Sequence, residues 1–306
     1  MAQSRIAVIG AGLMGHAIGF LFAKAGFNVR IQDPDPKAID ALPGRLAETA
    51  KALSADPKTL DRIQATTALA VAVEEADFVI EAAPEKLALK QAIFAELDRL
   101  TPETTILASN TSAIPIAGIS APVRDKRRVL GAHFWNPPHL IKLVEVVLMS
   151  PDNRPAADRA MALLSAAGRH PVIVNRDIPG FIGNRLQHAL KREAIALVAA
   201  GICDAETIDD VVKIGFGARM AVLGPLEQSD LVGLDLTKNI HDVLMPDLDV
   251  TSHTHPYLDA LVARGDLGMK TGKGFRNWTS EQADAVRQRL RVFLAAAPPS
   301  QNEEVD

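Results

Sequence analysis

The stretch that most constrains this chain lies near its start. Arg5 to Ile9 reads RIAVI, a short β-branched run. Gly10-Ala11-Gly12-Leu13-Met14-Gly15 follows at once, ahead of a helical pattern from His16 to Ala25. A GxGxxG loop between a strand and a helix opens a βαβ unit that binds a dinucleotide. Gly10 permits the tight turn, Gly12 lets the backbone approach a pyrophosphate, and Gly15 lets the helix pack close to the strand. Free N–H groups at the helix start, from Leu13 and Met14 onward, then face phosphate charge. The next strand, Asn28 to Gln32, ends at Asp33, 18 residues after Gly15. An acidic side chain there accepts hydrogen bonds from the adenosine ribose and repels a 2′-phosphate. Pro34 and Asp35 follow, with no adjacent arginine, so the expected cofactor is NAD and not NADP.

From here strands and helices alternate. Asp35 to Leu60 reads as two helical stretches broken near Pro43-Gly44 and Asp56-Pro57. Ile63 to Ala65, Asp77 to Ala82, Thr105 to Ala108 and His170 to Val174 read as strands; Pro84-Glu85 opens a helix to Leu100, and Arg154 to Ala167 forms another. That alternation predicts an α/β fold, a Rossmann-like doubly wound, mostly parallel sheet. After Pro179-Gly180 the strands stop, and helical patterns run over Phe181–Ala200, Asp204–Ile214 and Pro225–Met245. The expected organisation is a dinucleotide-binding domain over residues 1–178, an all-helical C-terminal domain over 179–297 and a disordered polar tail over 298–306.

Composition narrows the function classes. At 306 residues and 48% hydrophobic, the chain can build two cores. A net charge of −4 gives no electrostatic case for nucleic acid or a membrane surface. Cys203 is the single cysteine, which excludes an internal disulfide and fits a reducing, cytoplasmic compartment. The N-terminus passes straight into a strand, so no leader is expected, and no apolar run approaches bilayer length. His253 and His255 have no clustered partners of metal-ligand type, so no metal is expected.

Two further stretches carry chemistry. Arg128 to Val147, RVLGAHFWNPPHLIKLVEVV, reads as two apolar β-runs joined by a Pro-Pro turn. His133 and Glu145 are equidistant from position 139 in that turn, so a simple hairpin places them face to face. Directly opposed residues have Cβ atoms roughly 5 Å apart, within reach of an imidazole–carboxylate hydrogen bond. A lone acid inside LVEVV needs a partner to be buried, and a histidine so paired is a general base with a fixed tautomer. Ser109-Asn110-Thr111-Ser112 follows a strand, at the edge where such sheets bind ligands. These short polar residues serve equally as helix caps and turn formers. Asn184 and Arg185 open the first helix of the second domain.

Taken in order, GAGLMG, SNTS, GAHFWNPPHLIKLVEV, DIPGFIGNR and GMKTGKGF resemble the 3-hydroxyacyl-CoA dehydrogenase family over nearly the whole chain. The resemblance implies an NAD-dependent oxidation of a hydroxyl to a ketone, on a 3-hydroxyacyl-CoA of fatty-acid metabolism or a related small hydroxy acid. It also implies a Rossmann-like domain followed by a helical domain that forms a homodimer. By position it assigns His133 as general base, Glu145 as its partner, Ser112 as the holder of the substrate hydroxyl near the nicotinamide, and Asn184 as the substrate-orienting residue. It further assigns Asp33, Glu85, Lys90, Ser112, Asn136 and Lys270 to the NAD site, beside Gly10, Gly12, Leu13, Met14 and Gly15.

The chain departs from the family pattern in two places. Members that use CoA carry a longer, Lys-rich helical excursion after the second strand, whereas Ala38 to Arg62 holds only Arg45, Lys51, Lys58 and Arg62 as basic residues. The turn reads WNPPHLI instead of the commoner FNPVPVM. That form of the turn resembles members acting on small, CoA-free hydroxy compounds such as carnitine, gulonate or hydroxymethylpyridine acids. A β-hydroxyacid dehydrogenase related to 6-phosphogluconate dehydrogenase would place a lysine in the first interdomain helix, where this chain has PGFIGNR. A crystallin-like structural protein of the same fold has no need of Ser112, His133, Glu145 and Asn184 together.

Overall fold

In the computed structural model, which describes residues 4–296, the glycine loop joins β1 (Arg5–Ile9) to α1 (Gly15–Lys24). The tail expected over residues 298–306 lies outside the described residues. β2 (Asn28–Gln32) ends at Asp33, and α2 (Pro36–Asp40) and α3 (Leu42–Ala52) lead to β3 (Ile63–Thr66). Pro43 and Gly44 lie in the first turn of α3 and not at a break. A proline costs no hydrogen bond at a helix start, so the interruption falls earlier, at Ala41. The order continues α4 (Leu69–Val73), β4 (Phe78–Glu81), α5 (Leu87–Leu100), β5 (Ile106–Ser109), α6 (Ile116–Ile119), β6 (Val129–Phe134), β7 (Leu143–Val147), α7 (Arg154–Ala166) and β8 (His170–Val174).

Among the described residues the eight strands form one sheet in the order β3-β2-β1-β4-β5-β6-β7-β8. Every neighbouring pair is parallel except β6 and β7, which are antiparallel. Alternate residues feed two cores. Ile6, Val8, Phe78 and Ile80 pack with Phe20 and Phe22 of α1, while Ala7, Ile9, Val79 and Leu107 pack with Phe94 and Leu97 of α5. A sheet covered on both faces needs such continuous apolar strands. The winding reverses between β1 and β4, and the crevice at the carboxyl ends of strands beside such a reversal is where ligands bind. Gly10, Asp33, Glu81, Ser109 and His133 all lie at or beside those ends.

The chain divides into two compact units, Met1–Arg185 and Leu186–Asp306. α8 (Gly183–Ala199) begins in the first and continues into the second, which adds α9 (Ala205–Ile214), α10 (Pro225–Val232), α11 (Leu234–Leu244), α12 (Pro256–Ala263) and α13 (Ser280–Ala296). The single helix expected over Pro225–Met245 is two, because Gly233 takes φ 100°, outside the helical region, between α10 and α11. No helix among the described residues is long and apolar enough to cross a membrane.

Candidate active site

The dinucleotide end is built by backbone geometry. Gly10 has φ 107°, and a Cβ there would lie 2.8 Å from the Ala82 carbonyl oxygen. A Cβ on Gly15 would overlap the Gly10 carbonyl oxygen. Gly12 instead faces open space, with nothing within 4 Å of an added Cβ, so a pyrophosphate can approach it. The N–H groups of Leu13 and Met14 donate to no acceptor among the described residues. Asp33 takes one hydrogen bond on each oxygen, from the Ala11 N–H at 2.9 Å and the Asp35 N–H at 3.0 Å. Each carboxylate oxygen accepts two, so capacity remains for ribose hydroxyls. These features fit bound NAD. Two side chains brace the loop: Arg45 donates to the Ala11 carbonyl at 2.7 Å, and the buried His16 donates from Nδ1 to the Gly12 carbonyl at 2.8 Å. Burial pushes the His16 pKa down and Arg45 adds to that, against the Gly12 hydrogen bond, so the ring is held neutral.

Next to it, a buried ionic network shapes the loop after β5. Lys90, on α5, donates from Nζ to both oxygens of Glu81 at 2.8 and 3.0 Å and to the Ala83 carbonyl at 3.1 Å. Ser109 donates to Glu81 at 2.6 Å. Glu85 in turn collects the Thr111 hydroxyl at 2.6 Å and the N–H groups of Ser112 and Ala113 at 3.0 and 3.1 Å. Burial pushes its carboxyl up, but Thr111, the Ala113 N–H, Lys90 and the Ser112 N–H together hold it below the usual carboxylate range. Lys90, expected at the cofactor site, has an ammonium that is 1% exposed and bonded to Glu81. Lys90 and Glu85 together brace the backbone that presents Ser112. That residue is exposed, and its hydroxyl makes no hydrogen bond among the described residues.

His133 and Glu145 pair directly across β6 and β7, as the hairpin count predicts. Both are buried, and His133 Nδ1 lies 2.8 Å from Glu145 Oε2. Burial pushes the Glu145 carboxyl up, yet hydrogen bonds from His133 and from the Gly183 and Ile182 N–H groups outweigh it and hold the acid below its usual range. An ionised carboxylate only accepts, so Nδ1 carries a hydrogen, and in the neutral ring Nε2 is then the proton acceptor. Trp135 and Phe181 flank the imidazole, each with its ring centroid 5.6 Å away. Phe181 adopts φ 49°, a left-handed turn rare for a bulky residue. It carries the chain around so that Ile182 and Gly183 donate to Glu145 Oε1 at 2.9 and 3.0 Å.

One hydrogen-bonded path therefore joins all four residues expected to act. His133 is tied to Glu145, Glu145 to the start of α8, Asn184 of that helix donates to the Ser112 carbonyl at 3.1 Å, and the Ser112 N–H donates to Glu85. Asn136 is exposed in the turn after β6, and Lys270 is exposed within the second unit. Among the described residues no group of three or more His, Cys, Asp or Glu side chains is placed to hold a metal ion.

Sequence reasoning misses several of these parts. The logic that singles out Glu145, a lone acid in an apolar strand, applies equally to Glu81 in DFVIEA, which finds Lys90 and Ser109 as partners. Asn110 is another: buried, it accepts the Phe134 N–H at 2.8 Å and ties the loop after β5 to the strand that carries His133. Nothing local marks Arg45, whose partner lies 34 residues away.

Comparison with known proteins covers nearly the whole chain. The family profile described as 3-hydroxyacyl-CoA dehydrogenase, NAD binding domain, matches residues 5–178, and that of the C-terminal domain of the same family matches residues 180–278. A probable 3-hydroxybutyryl-CoA dehydrogenase from Bacillus subtilis is 40% identical over 287 residues, covering 91% of this chain and 98% of that one. The solved structure of a 5-formyl-3-hydroxy-2-methylpyridine 4-carboxylic acid 5-dehydrogenase, described as an NAD+-dependent dismutase, is 33% identical with a TM-score of 0.88, covering 96% of this chain and 97% of that one. The (S)-3-hydroxybutyryl-CoA dehydrogenase of Ralstonia eutropha is 30% identical with a TM-score of 0.70, covering 91% of this chain and 100% of that one. Matched in both of its parts, the chain belongs to the 3-hydroxyacyl-CoA dehydrogenase family and is an NAD-dependent dehydrogenase acting on a CH–OH group.

Proposed function

We propose that this enzyme oxidises the hydroxyl of a small, CoA-free hydroxy acid to the carbonyl, with His133 as the general base. The observation that carries the chemistry is the buried His133–Glu145 pair, whose ionised acid leaves Nε2 as the proton acceptor. Bound NAD+ supplies the hydride acceptor. Asp33, the glycine loop and the exposed Leu13 would hold it, and the Ser112 hydroxyl and Asn184 amide would orient the substrate oxygens. Nε2 takes the hydroxyl proton, and Glu145 offsets the charge that develops on the imidazole.

The substrate class rests on what the segment after β2 offers. Of its four basic side chains, Arg45 is anchored at the cofactor loop through the Ala11 carbonyl and Arg62 at the Gly26 carbonyl, which leaves Lys51 and Lys58 to meet the phosphorylated nucleotide tail of a CoA. The closer likeness in shape to a pyridine-carboxylate dehydrogenase than to a hydroxybutyryl-CoA enzyme supports the same reading. A panel of free hydroxy acids and 3-hydroxyacyl-CoAs, followed by NADH absorbance, tests it. Higher kcat/KM on the free acids is expected; about tenfold preference for an acyl-CoA, a difference of roughly 1.4 kcal/mol in transition-state stabilisation, would return the enzyme to the CoA-using group.

We also propose a functional boundary at Pro179 and a homodimer formed through the helical unit. The apolar faces that α9 and α11 leave exposed support it, Ile214 and Val243 being 79% and 75% accessible. A reducing, cytoplasmic setting suits the unpaired Cys203.

A further inference from the structure

We propose that Arg45 is part of the cofactor site and binds the pyrophosphate of NAD. It stands 34 residues from Ala11 in sequence, and the fold brings it to the glycine loop. From α3 its guanidinium donates to the Ala11 carbonyl at 2.7 Å. The N–H of the same residue donates to Asp33 at 2.9 Å. The Ala11 peptide is thus held between the acid that faces the adenosine ribose and a cation. The next residue is Gly12, whose open side is the approach for the pyrophosphate.

Arg45 combines a charge without a counter-ion with a place on the glycine loop. Arg124, Arg127, Arg128 and Arg154 each have a carboxylate within 2.8 Å, whereas Arg45, like Arg62 and Arg169, forms no ion pair among the described residues; of these three, Arg45 is the one bonded to the glycine loop. The group is half-buried, so its charge is neither neutralised nor fully dissolved in solvent. A guanidinium has five N–H donors, and the Ala11 carbonyl engages only one of its nitrogens. Anchored in this way, it pays little orientational entropy to meet a phosphate oxygen. His16, which also bonds to the loop, has its pKa pushed down by burial, and the nearby Arg45 adds to that shift. A carboxylate-free arginine beside a loop with spare N–H groups suits a doubly charged pyrophosphate better than a neutral ring.

Two other roles make different predictions. A guanidinium that only clamps the loop would act through its hydrogen bond and not its charge. One aimed at the ribose 2′-position would serve NADP. Fluorescence and calorimetric titration of the intact enzyme with NADH, NADPH, ADP and adenosine separates these. Arg45→Gln and Arg45→Ala should raise the Kd for NADH and for ADP by about tenfold, the lower end of what a charge-assisted hydrogen bond contributes, with adenosine unchanged. Arg45→Lys, which keeps the charge, should recover most of the loss and guards against a variant that fails to fold. Wild-type affinity for ADP in Arg45→Gln overturns the proposal, because the charge is then idle. An equal loss for adenosine and ADP also overturns it, since only the loop clamp was removed. A larger loss for NADPH than for NADH moves the contact to the 2′-phosphate and overturns the pyrophosphate assignment.

Discussion

In the first unit, β4, β5 and β6 bury every residue, and the charged groups among them are paired, Glu81 with Lys90 and His133 with Glu145. In the second unit, α9, α10 and α11 bury none. The described buried hydrophobics there are Leu261 and Ala283, while Ile202, Val211, Leu226, Leu231 and Val243 stand exposed. The polar side of these helices is ordinary, with surface pairs such as Lys213–Asp210 and Lys238–Asp242. The contrast teaches where each unit finds its burial partner. The sheet is covered by its own helices on both faces; the helices of the second unit have apolar stripes without a matching surface in their own unit. Apolar patches of that kind on a single chain mark an interaction site.

The largest effect expected is kinetic and belongs to the first unit. His133→Gln should lower kcat by about 10²–10⁴-fold, the usual worth of general-base help, while NADH binds as before because the glycine loop is untouched. Stopped turnover with unchanged NADH fluorescence titration would bear this out; a variant that retains full kcat would leave the dyad with a structural role alone.

The buried and exposed ion pairs give the next test. Lys90→Met leaves Glu81 charged and unpaired in the interior and should cost about 3–5 kcal/mol in denaturant unfolding, as removal of one partner from a buried pair does. Lys90→Met combined with Glu81→Gln should recover part of that loss. Lys238→Met, which breaks an exposed pair on α11, should leave the unfolding midpoint where it was. Similar losses from both lysines would erase the distinction between the units.

Assembly follows. Val243→Asp and Leu226→Asp place a charge on each of two exposed helical faces and should shift sedimentation from dimer toward monomer. Melting of the wild type should then rise with protein concentration and that of the doubly substituted chain should not. A wild type that sediments as a monomer would require another cover for these helices.

The smallest effect is in pH. Folding holds the Glu145 carboxyl below its usual range, so the folded chain favours the ionised acid. The stability this supplies is complete above the unfolded-state value and is lost as pH falls through the lowered folded value. Glu145→Gln removes that dependence, so the gap in melting temperature between wild type and variant should narrow on acidification. A gap constant down to acid unfolding would mean the carboxylate is not the group involved.

Much of this protein is written in short stretches. RIAVI-GAGLMG specifies a strand, a glycine turn and a helix because each glycine answers a local steric demand, and Asp33 follows at the end of the next strand. The pairing of His133 with Glu145 is equally local: a hairpin's period fixes which residues oppose, so counting from the turn suffices. Tertiary structure alone decided the rest. Lys90 looks like a surface lysine until α5 packs it onto Glu81, and Arg45 looks like a solvated helix residue until α3 lies against the glycine loop. Asn184 meets the Ser112 carbonyl across 72 residues, and Gly183 meets Glu145 across 38. Those partners are chosen by how helices seat on the sheet, a property of the summed packing of many apolar side chains, and no spacing within the chain encodes it.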